Sequence, residues 1–454
     1  MGDMENNKER TIFNSDVSLN SIFFIFACIS TILLIMMRDI TGISVNRYIF
    51  VVISLVSAIF MNIENCIAYL FFLMPLFNGL PGNYMRVVLL IAILLKRKSF
   101  RFQTTAFLSC ISLCILEFMH IQTLSNASNY VFWAISLIFV GLIANECFEY
   151  INEKKCILLF AISTALAFLV IFVVTYNMGF LDLILYGRYR FGDFSDFAPA
   201  YIENMHLTLD PNFLGLYCII SVMSVYVLVA YGKVKKSIAL PVIVIDLIWG
   251  IISLSRTFLI LCVLFVIMAI YCERKNVKHF LYGIVFITLT GIALYAAVSH
   301  FFPTAITSLQ RRMNGADMAG GNGRVELSGI YLSRFADNFR MWLLGSGGIT
   351  MIDNMGMPHG MNLHCTPLEI IVGGGILGTL LTVAFIYTTL KNIRTIGRHG
   401  EKFTNYGMAM LLIIFVYYAT LPSVANTAQY FPLLVCVSVL LINKNSLEGE
   451  NSNG

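Results

Sequence analysis

Long apolar runs, separated by short clusters of charged residues, dominate the pattern of this sequence. The runs lack the strict alternation of half-buried strands, and many approach the roughly 20 residues that a helix needs to cross a bilayer. The pattern therefore predicts an all-α, polytopic membrane protein, a single integral membrane domain over 1–454 with about 12–14 transmembrane helices. The predicted spans are 21–37, 48–63, 66–80, 84–95, 103–119, 130–148, 156–175, 212–231, 238–254, 257–271, 280–299, 366–390, 404–420 and 427–442.

Two neighbouring spans, 66–80 and 84–95, are short. Pro75 lies within the first of them, and the pair Pro81-Gly82 lies between them. Proline removes a backbone donor and clashes with the preceding turn, so it breaks or ends a helix. We therefore expect a broken or re-entrant helical pair in this part of the chain.

Composition excludes a soluble globular chain, because 58% of the residues are hydrophobic, 12% are charged and the mean hydropathy is +0.80. The polar start of the chain shows no cleavable signal pattern, so 21–37 is expected to be the first anchor. The eleven cysteines lie mostly inside apolar runs, without the spacing of a metal site or a disulfide framework. The net charge of +5 follows the membrane topology and indicates no nucleic-acid partner.

The lysine-rich clusters fall on alternate loops and therefore on one side of the membrane. Cytoplasmic loops are enriched in basic residues, so this side is predicted to be the cytoplasm, with both termini on it. All thirteen lysines lie on this side under that assignment. The clusters are at 96–98, 154–155, 233–236, 274–278 and 391–402.

The arginines do not follow the lysines, because eleven of the seventeen are predicted at the outer side. Arginine keeps its charge and grips phosphate through its planar fork, so a phosphate-bearing ligand would explain the excess. Ordinary structural pairing with aspartate and glutamate on the same side is the alternative. The eleven are Arg38, Arg47, Arg86, Arg188, Arg190, Arg256, Arg311, Arg312, Arg324, Arg334 and Arg340.

Two external loops are predicted to be long, 176–211 and 300–365. The first contains Arg188 and Arg190 and ends in Asp210-Pro211-Asn212. Aspartate is a favoured N-cap and proline a favoured first helical residue, so a helix is expected to begin here.

The second loop contains an amphipathic pattern from Arg324 to Leu344. We expect one helix lying flat on the outer surface of the bundle, with Arg324 at its start pointing toward a ligand. A simple lid with solvent-facing cations is the alternative. The apolar positions at helical spacing are Leu327, Ile330, Tyr331, Phe335, Phe339 and Trp342.

His364 lies at the outer mouth of the predicted helix that follows the second loop. A neutral histidine can take a proton from a hydroxyl group. Nearby arginines would keep the imidazole neutral and would hold an anionic substrate beside it. Glu369, about one turn further on, is expected to orient the ring. A structural histidine or a helix cap are the alternatives.

Arg256 lies between two apolar runs, at the outer edge of the membrane. An ionisable group at this depth is costly and usually faces a polar cavity, although snorkelling to the lipid headgroups is the alternative. Asp246, in the middle of the preceding span, is either its partner or an independent buried acid.

The sequence lacks a Walker loop, a GxSxG elbow, an HExxH site and a DxD metal site. It also lacks a soluble domain large enough for a nucleotide. An enzyme with this sequence is therefore expected to use a membrane-borne donor, without a metal or another cofactor.

Four segments, in this order, resemble the bacterial O-antigen polymerase and ligase family. The first is Arg190-Phe191-Gly192 followed by Asp210-Pro211-Asn212, and the second is Ser255-Arg256-Thr257. The third is Gly323-Arg324 with Trp342 and Gly345-Ser346-Gly347. The fourth is His364, Leu368-Glu369 and then Gly375-Ile376-Leu377-Gly378. The resemblance covers about residues 180–380. Cys365 departs from it, because the family often has asparagine there.

The resemblance implies a GT-C-like membrane glycosyltransferase that inverts the anomeric centre at the outer face of the bacterial inner membrane. Its donor and acceptor would be undecaprenyl-diphosphate-linked glycans, polymerised into O-antigen or a similar surface polysaccharide, and a chain-length regulator is a candidate partner. Arg190, Arg256 and Arg324 would bind the diphosphate, and His364 would take the hydroxyl proton. Further expected substrate contacts are Arg188, Asp210, Asn212, Arg311, Arg312, Trp342 and Glu369.

Three other functions compete with polymerisation. A ligase of the same family would join finished polymer to a lipid core. A transporter or flippase for lipid-linked oligosaccharide would place charged residues at the membrane midplane, where this sequence has little besides Asp246. A structural scaffold would leave the outer arginines unexplained.

Overall fold

The computed structural model describes residues 5–97, 104–121, 127–180, 194, 198–204, 206–253, 255–273, 277–301, 303, 307, 310, 324–358, 363–396, 405–419 and 432–442. Every regular element in these ranges is helical, which confirms the predicted all-α class. The α-helices are α1 Glu5–Asp39, α2 Tyr48–Phe60, α3 Ile63–Leu73, α4 Gly82–Lys96, α5 Thr104–Phe118, α6 Ala127–Glu146, α7 Glu153–Asn177, α8 Pro199–Glu203, α9 Pro211–Ala230, α10 Lys236–Ile252, α11 Arg256–Glu273, α12 Val277–Phe301, α13 Arg324–Ala336, α14 Phe339–Leu344, α15 Met351–Asn354, α16 Thr366–Ile396, α17 Asn405–Tyr418 and α18 Pro432–Leu441.

Within the described ranges, five helices are long and apolar enough to cross a membrane: Leu19–Asp39, Ala127–Glu146, Glu153–Asn177, Pro211–Ala230 and Thr366–Ile393. Shorter apolar helices accompany them, so the structure is compatible with a polytopic membrane protein. The count of 12–14 spans stays a prediction. A short 3-10 helix over Met74–Gly79 separates α3 from α4, which is the interruption that Pro75 and Pro81 predict.

One large apolar core joins α1–α4 to α6, α7, α9–α11, α17 and α18. Glycine residues, which have no side chain, allow some of these helices to approach closely. A Cβ atom at Gly250 would lie 2.1 Å from the ring of Phe258, and one at Gly215 would lie 2.8 Å from the Tyr417 hydroxyl. These glycines therefore bring α9, α10, α11 and α17 into direct contact.

Polar contacts gather at the two ends of the bundle, which we call the lysine end and the arginine end. At the lysine end, Asn20 accepts from the backbone of Asn62 at 2.8 Å, and Lys155 donates to Asn65. At the arginine end, Arg38 donates to the carbonyl of Gly79 at 2.8 Å. Asp39 lies nineteen positions after Asn20 in α1, which corresponds to about 28 Å of helix, close to the thickness of a hydrocarbon core.

The predicted single helix from Arg324 to Leu344 is wrong, because the structure divides it into α13 and α14. Asn338 causes the division, since its side chain accepts from the backbone N–H groups of Arg340 and Met341 and thereby caps a new helix. The predicted apolar face is divided as well. Tyr331 and Phe335 are buried, whereas Phe339 is 81% exposed and Trp342 is 47% exposed.

Candidate functional site

His364 lies immediately before α16 at the arginine end, and the structure brings Arg324 and Asp210 close to it. Its side chain is partly buried. Burial lowers the pKa of His364, the positive charge of Arg324 lowers it further, and the carboxylate of Asp210 acts in the opposite direction. One residue from each predicted loop therefore acts electrostatically on the imidazole, and the net effect favours its neutral form.

Asp210 reaches the site because it caps α9. Its carboxylate accepts from the backbone N–H of Asn212 at 2.7 Å, and Pro211 occupies the first helical position. Both features satisfy or avoid an unpaired donor at the helix start. The capping expected from the sequence is therefore present, and the charge of the same carboxylate also acts on His364.

The starts of α9 and α11 meet beside Tyr417 of α17. The hydroxyl of Ser255 lies 3.5 Å from the side-chain oxygen of Asn212 and 3.4 Å from the Tyr417 hydroxyl. Tyr417 also donates to the backbone carbonyl of Asn212. Arg256 follows Ser255 directly and is partly buried. Two segments that are 43 residues apart in the chain are therefore adjacent at the site.

Arg324 is positioned by a small apolar core beneath the second loop. Tyr331 and Phe335 of α13 pack there with Leu363 and Val372, at either side of the start of α16. Burial raises the pKa of the Tyr331 phenol, and the neighbouring charge of Glu369 raises it further. The structure thus places Glu369 beside Tyr331, and its predicted role in orienting His364 stays a prediction.

A glycine-rich contact, which we call the glycine clasp, joins residues 345–348 to residues 372–375 of α16. The helix breaks at Gly375, whose φ is 61°. The N–H groups of Ser346 and Gly347 donate to the carbonyls of Val372 and Gly373, at 3.0 and 2.9 Å. The break is stabilised because these carbonyls find partners outside the helix. A Cβ atom at Gly345 would lie 2.0 Å from the carbonyl oxygen of Gly373, so only glycine fits.

The two loops are each held by a buried carboxyl group from another helix. Asp39 accepts from the ring of His206 at 2.7 Å and from the N–H of Leu207 at 3.0 Å. Glu117 accepts from the N–H groups of Gly348 and Ile349, at 3.0 and 2.8 Å. Asp39 therefore holds the segment that leads to Asp210, and Glu117 holds the segment that carries the glycine clasp.

The sequence left open that outer arginines pair with acids, as Arg38 does with Asp39, but it predicted neither of these two loop anchors. His206 pairs with Asp39 across 167 residues of sequence, and Glu117 meets its loop partners across more than 230. No local pattern reports contacts over such separations. The acids themselves were visible as single charges at the ends of apolar runs, which was the one available signal.

The outcome differs among the other residues that the sequence singled out. Trp342 lies on α14, on its exposed side. Asp246 accepts from Ser221, which identifies it as an independent buried acid and not as the partner of Arg256. Arg188, Arg190, Arg311 and Arg312 lie outside the described residues. Among the described residues, no group of three or more His, Cys, Asp or Glu side chains is arranged to hold a metal ion.

Comparison with known proteins adds no family to this picture. No protein-family model matches the chain, and no curated protein matches it.

Proposed function

We propose that this protein polymerises undecaprenyl-diphosphate-linked oligosaccharide repeat units into a surface polysaccharide at the outer face of the bacterial inner membrane. One observation carries the proposal: the charges of Arg324 and Asp210 both act on His364, at one end of a helical bundle whose helices are suited to a membrane. A base near a cation suits glycosyl transfer from a lipid diphosphate, because the base takes the hydroxyl proton and the cation stabilises the leaving group.

The reaction proceeds as a single displacement with inversion. A hydroxyl oxygen of the acceptor sugar attacks the anomeric carbon of the donor, and the bond from that carbon to the diphosphate oxygen breaks. The proton of the hydroxyl group passes to His364, and the electron pair of the broken bond leaves with the lipid diphosphate. Arg324 and Arg256, with Arg190 from the first loop, stabilise the charge on the leaving group.

The electrostatics of the site suit this role for His364. Only a neutral imidazole accepts a proton, and burial together with Arg324 holds the pKa of His364 below its ordinary value. Asp210 limits this effect, because a negative charge stabilises the imidazolium that forms when the proton arrives. The surrounding charges therefore favour a base that is neutral before the reaction and tolerated as a cation after it.

The test is complementation of a deletion strain with His364→Ala, with surface glycan resolved as a ladder on a gel. We expect the variant to reach normal membrane levels but to leave a single repeat unit on the lipid core, because loss of a general base lowers the rate by about 10²–10⁴-fold. The matched control is His279→Ala, which changes a histidine in the first turn of α12, and it should give the full ladder. A full ladder with His364→Ala would refute the mechanism, and a core without any repeat unit would favour a ligase or an exporter.

A transporter of lipid-linked oligosaccharide is the second candidate, and Asp246 is the observation that favours it. This acid is fully buried in the middle of α10, and one of its carboxyl oxygens has no hydrogen-bond partner. Ionisable groups at such depth often serve ion-coupled transport. Asp246→Asn should abolish delivery of repeat units under this candidate and should leave the polymer ladder unchanged under the first.

A further inference from the structure

An open pocket of about 380 Å³ lies beside the glycine clasp, and Gly345 and Ser346 of the clasp form part of its wall. Its wall includes Met119, His120 and Ile121, which follow α5, together with Asn338 and Arg340 at the start of α14. The volume falls within the range of small-molecule sites. The site described above uses none of these side chains.

His120 is positioned in the pocket wall by one side-chain and one backbone hydrogen bond. Its Nε2 atom lies 3.2 Å from the carbonyl oxygen of Leu344, and its own carbonyl accepts from the hydroxyl of Tyr130. A carbonyl can only accept, so Nε2 carries a proton and donates to Leu344, while Nδ1 is not used in this contact. Gly347 makes room for this ring, because a Cβ atom there would lie 2.8 Å from the Cβ atom of His120.

Arg340 supplies a cation that the described part of the chain does not use. Its guanidinium group has no ion pair or hydrogen bond to any described residue. Arg38 and Arg334 differ in this respect, because the first is bound by Asp39 and the second donates to the carbonyl of Gly356 at 2.9 Å. Beside Arg340, the side-chain oxygen of Asn338 is engaged in capping α14, which leaves its NH₂ group as a donor.

We propose that this pocket binds an acidic sugar residue of the glycan substrate through its carboxylate. The inference deepens the proposed function and rests on it. Arginine grips a carboxylate through two parallel N–H donors. The Nδ1 atom of His120 and the amide of Asn338 complement sugar hydroxyl groups, and Met119, Ile121 and Met341 offer apolar surface to the C–H face of the ring.

The position of the pocket suits a subsite next to the reaction centre. In the glycine clasp, Ser346 and Gly347 bind the carbonyls of Val372 and Gly373 in α16. His364 lies just before Thr366, where the same helix begins. Gly373 lies seven positions after Thr366, about 10 Å along the helix. A glycan anchored by its acidic residue in the pocket would therefore present a neighbouring residue toward His364.

The experiment measures binding of a glucuronic acid disaccharide, by calorimetry, to the full-length protein in nanodiscs of zwitterionic lipid. Arg340 is exposed, so Arg340→Gln is expected to fold. It should weaken binding by about tenfold or more, the value of a charge-assisted hydrogen bond. The same disaccharide with its carboxyl group reduced to an alcohol should bind the wild type as weakly as the acid binds the variant. Arg47→Gln, an exposed arginine before α2, is the matched control and should bind normally.

Three results would overturn the assignment: no detectable binding to the wild type, equal binding of the acidic and reduced probes, or unchanged affinity in Arg340→Gln. The disaccharide could also lose its binding when the nanodiscs contain anionic lipid. If that loss occurs in the wild type and is absent in Arg340→Gln, the pocket takes a lipid phosphate instead. His364→Ala should bind the probe normally. The failure of this subsite and the failure of the proposed reaction are therefore distinguishable, because the first appears in binding and the second in the glycan ladder.

Discussion

The lysine end and the arginine end of the bundle differ in whether a buried acid anchors the connecting backbone. At the lysine end, a cation donates to helix ends: the ammonium group of Lys96 contacts the carbonyls of Ala58, Ile59 and Met61 where α2 finishes. At the arginine end, buried acids accept from loop amides, with Asp39 holding the first loop and Glu117 the second. The cations at a helix C-terminus complement its dipole, whereas the acids order backbone that has no helical partner.

This difference explains why the candidate site lies where it does. The described connections at the lysine end are held by contacts at helix ends, such as those of Lys96 and Lys155. Long loops lose more conformational entropy when they are ordered, so they need specific anchors. Two anchored loops can then present Asp210, Arg324 and His364 to one another. The predictions below separate anchoring from chemistry, beginning with the largest expected effect.

Gly345→Ala should prevent the second loop from seating on α16. The added Cβ atom would lie 2.0 Å from the carbonyl of Gly373, and the φ of 80° is itself unfavourable for alanine. We expect a loss of about 4 kcal/mol or more in unfolding free energy, measured in mixed detergent micelles. Gly329→Ala is the control, because nothing lies within 4 Å of its Cβ position, and it should be neutral or slightly stabilising. Equal stability of the two variants would contradict the clasp.

Asp39→Ala should destabilise the arginine end by about 3–5 kcal/mol, because it leaves Arg38 buried without its carboxylate. The comparison at the lysine end is Glu64→Ala, which removes a hydrogen bond from Asn152 and should cost about 1 kcal/mol. Unfolding in the same micelles measures both. Similar losses for the two variants would show that the ends do not differ in their anchoring.

Glu117→Gln should loosen only the second loop. The amide group replaces one of two accepting oxygens, so either Gly348 or Ile349 keeps an unpaired N–H, at a cost of about 1–3 kcal/mol. Hydrogen exchange should become faster at these two amides and stay unchanged at Leu207. A milder Asp39→Asn variant should show the reverse pattern. Faster exchange in both loops for either variant would mean that the anchors are not independent.

Arg324→Gln should move the acidic limb of the pH–rate profile to higher pH. Arg324 lowers the pKa of His364, so its removal raises that pKa and protonates the base at a higher pH. Asp210→Asn should move the limb in the other direction, because Asp210 raises the same pKa and asparagine still caps α9. Profiles of in vitro polymerisation test both shifts. Two shifts of the same sign would exclude His364 as the titrating group.

Local pattern sufficed for several features of this protein. Apolar runs of helical length predicted an all-helical chain, and Asp210-Pro211 predicted the start of α9. Pro75 predicted the interruption between α3 and α4. The position of His364 at the mouth of a helix also followed from the run that begins at Thr366. Each of these features depends on residues within one or two turns of each other, and short-range preferences are written into adjacent positions.

Tertiary structure alone decided which distant residues meet. It joined Asp39 to His206, Glu117 to Gly348, and Asp210 to the neighbourhood of His364. It also divided the predicted amphipathic helix at Asn338 and placed Arg340 and His120 in one pocket. The physical reason is that an apolar helix can pack against many others with similar gain, so its partners are chosen by shape. The glycines at 215, 250, 345 and 375 set that shape, because backbone or ring atoms occupy the space where a side chain would stand.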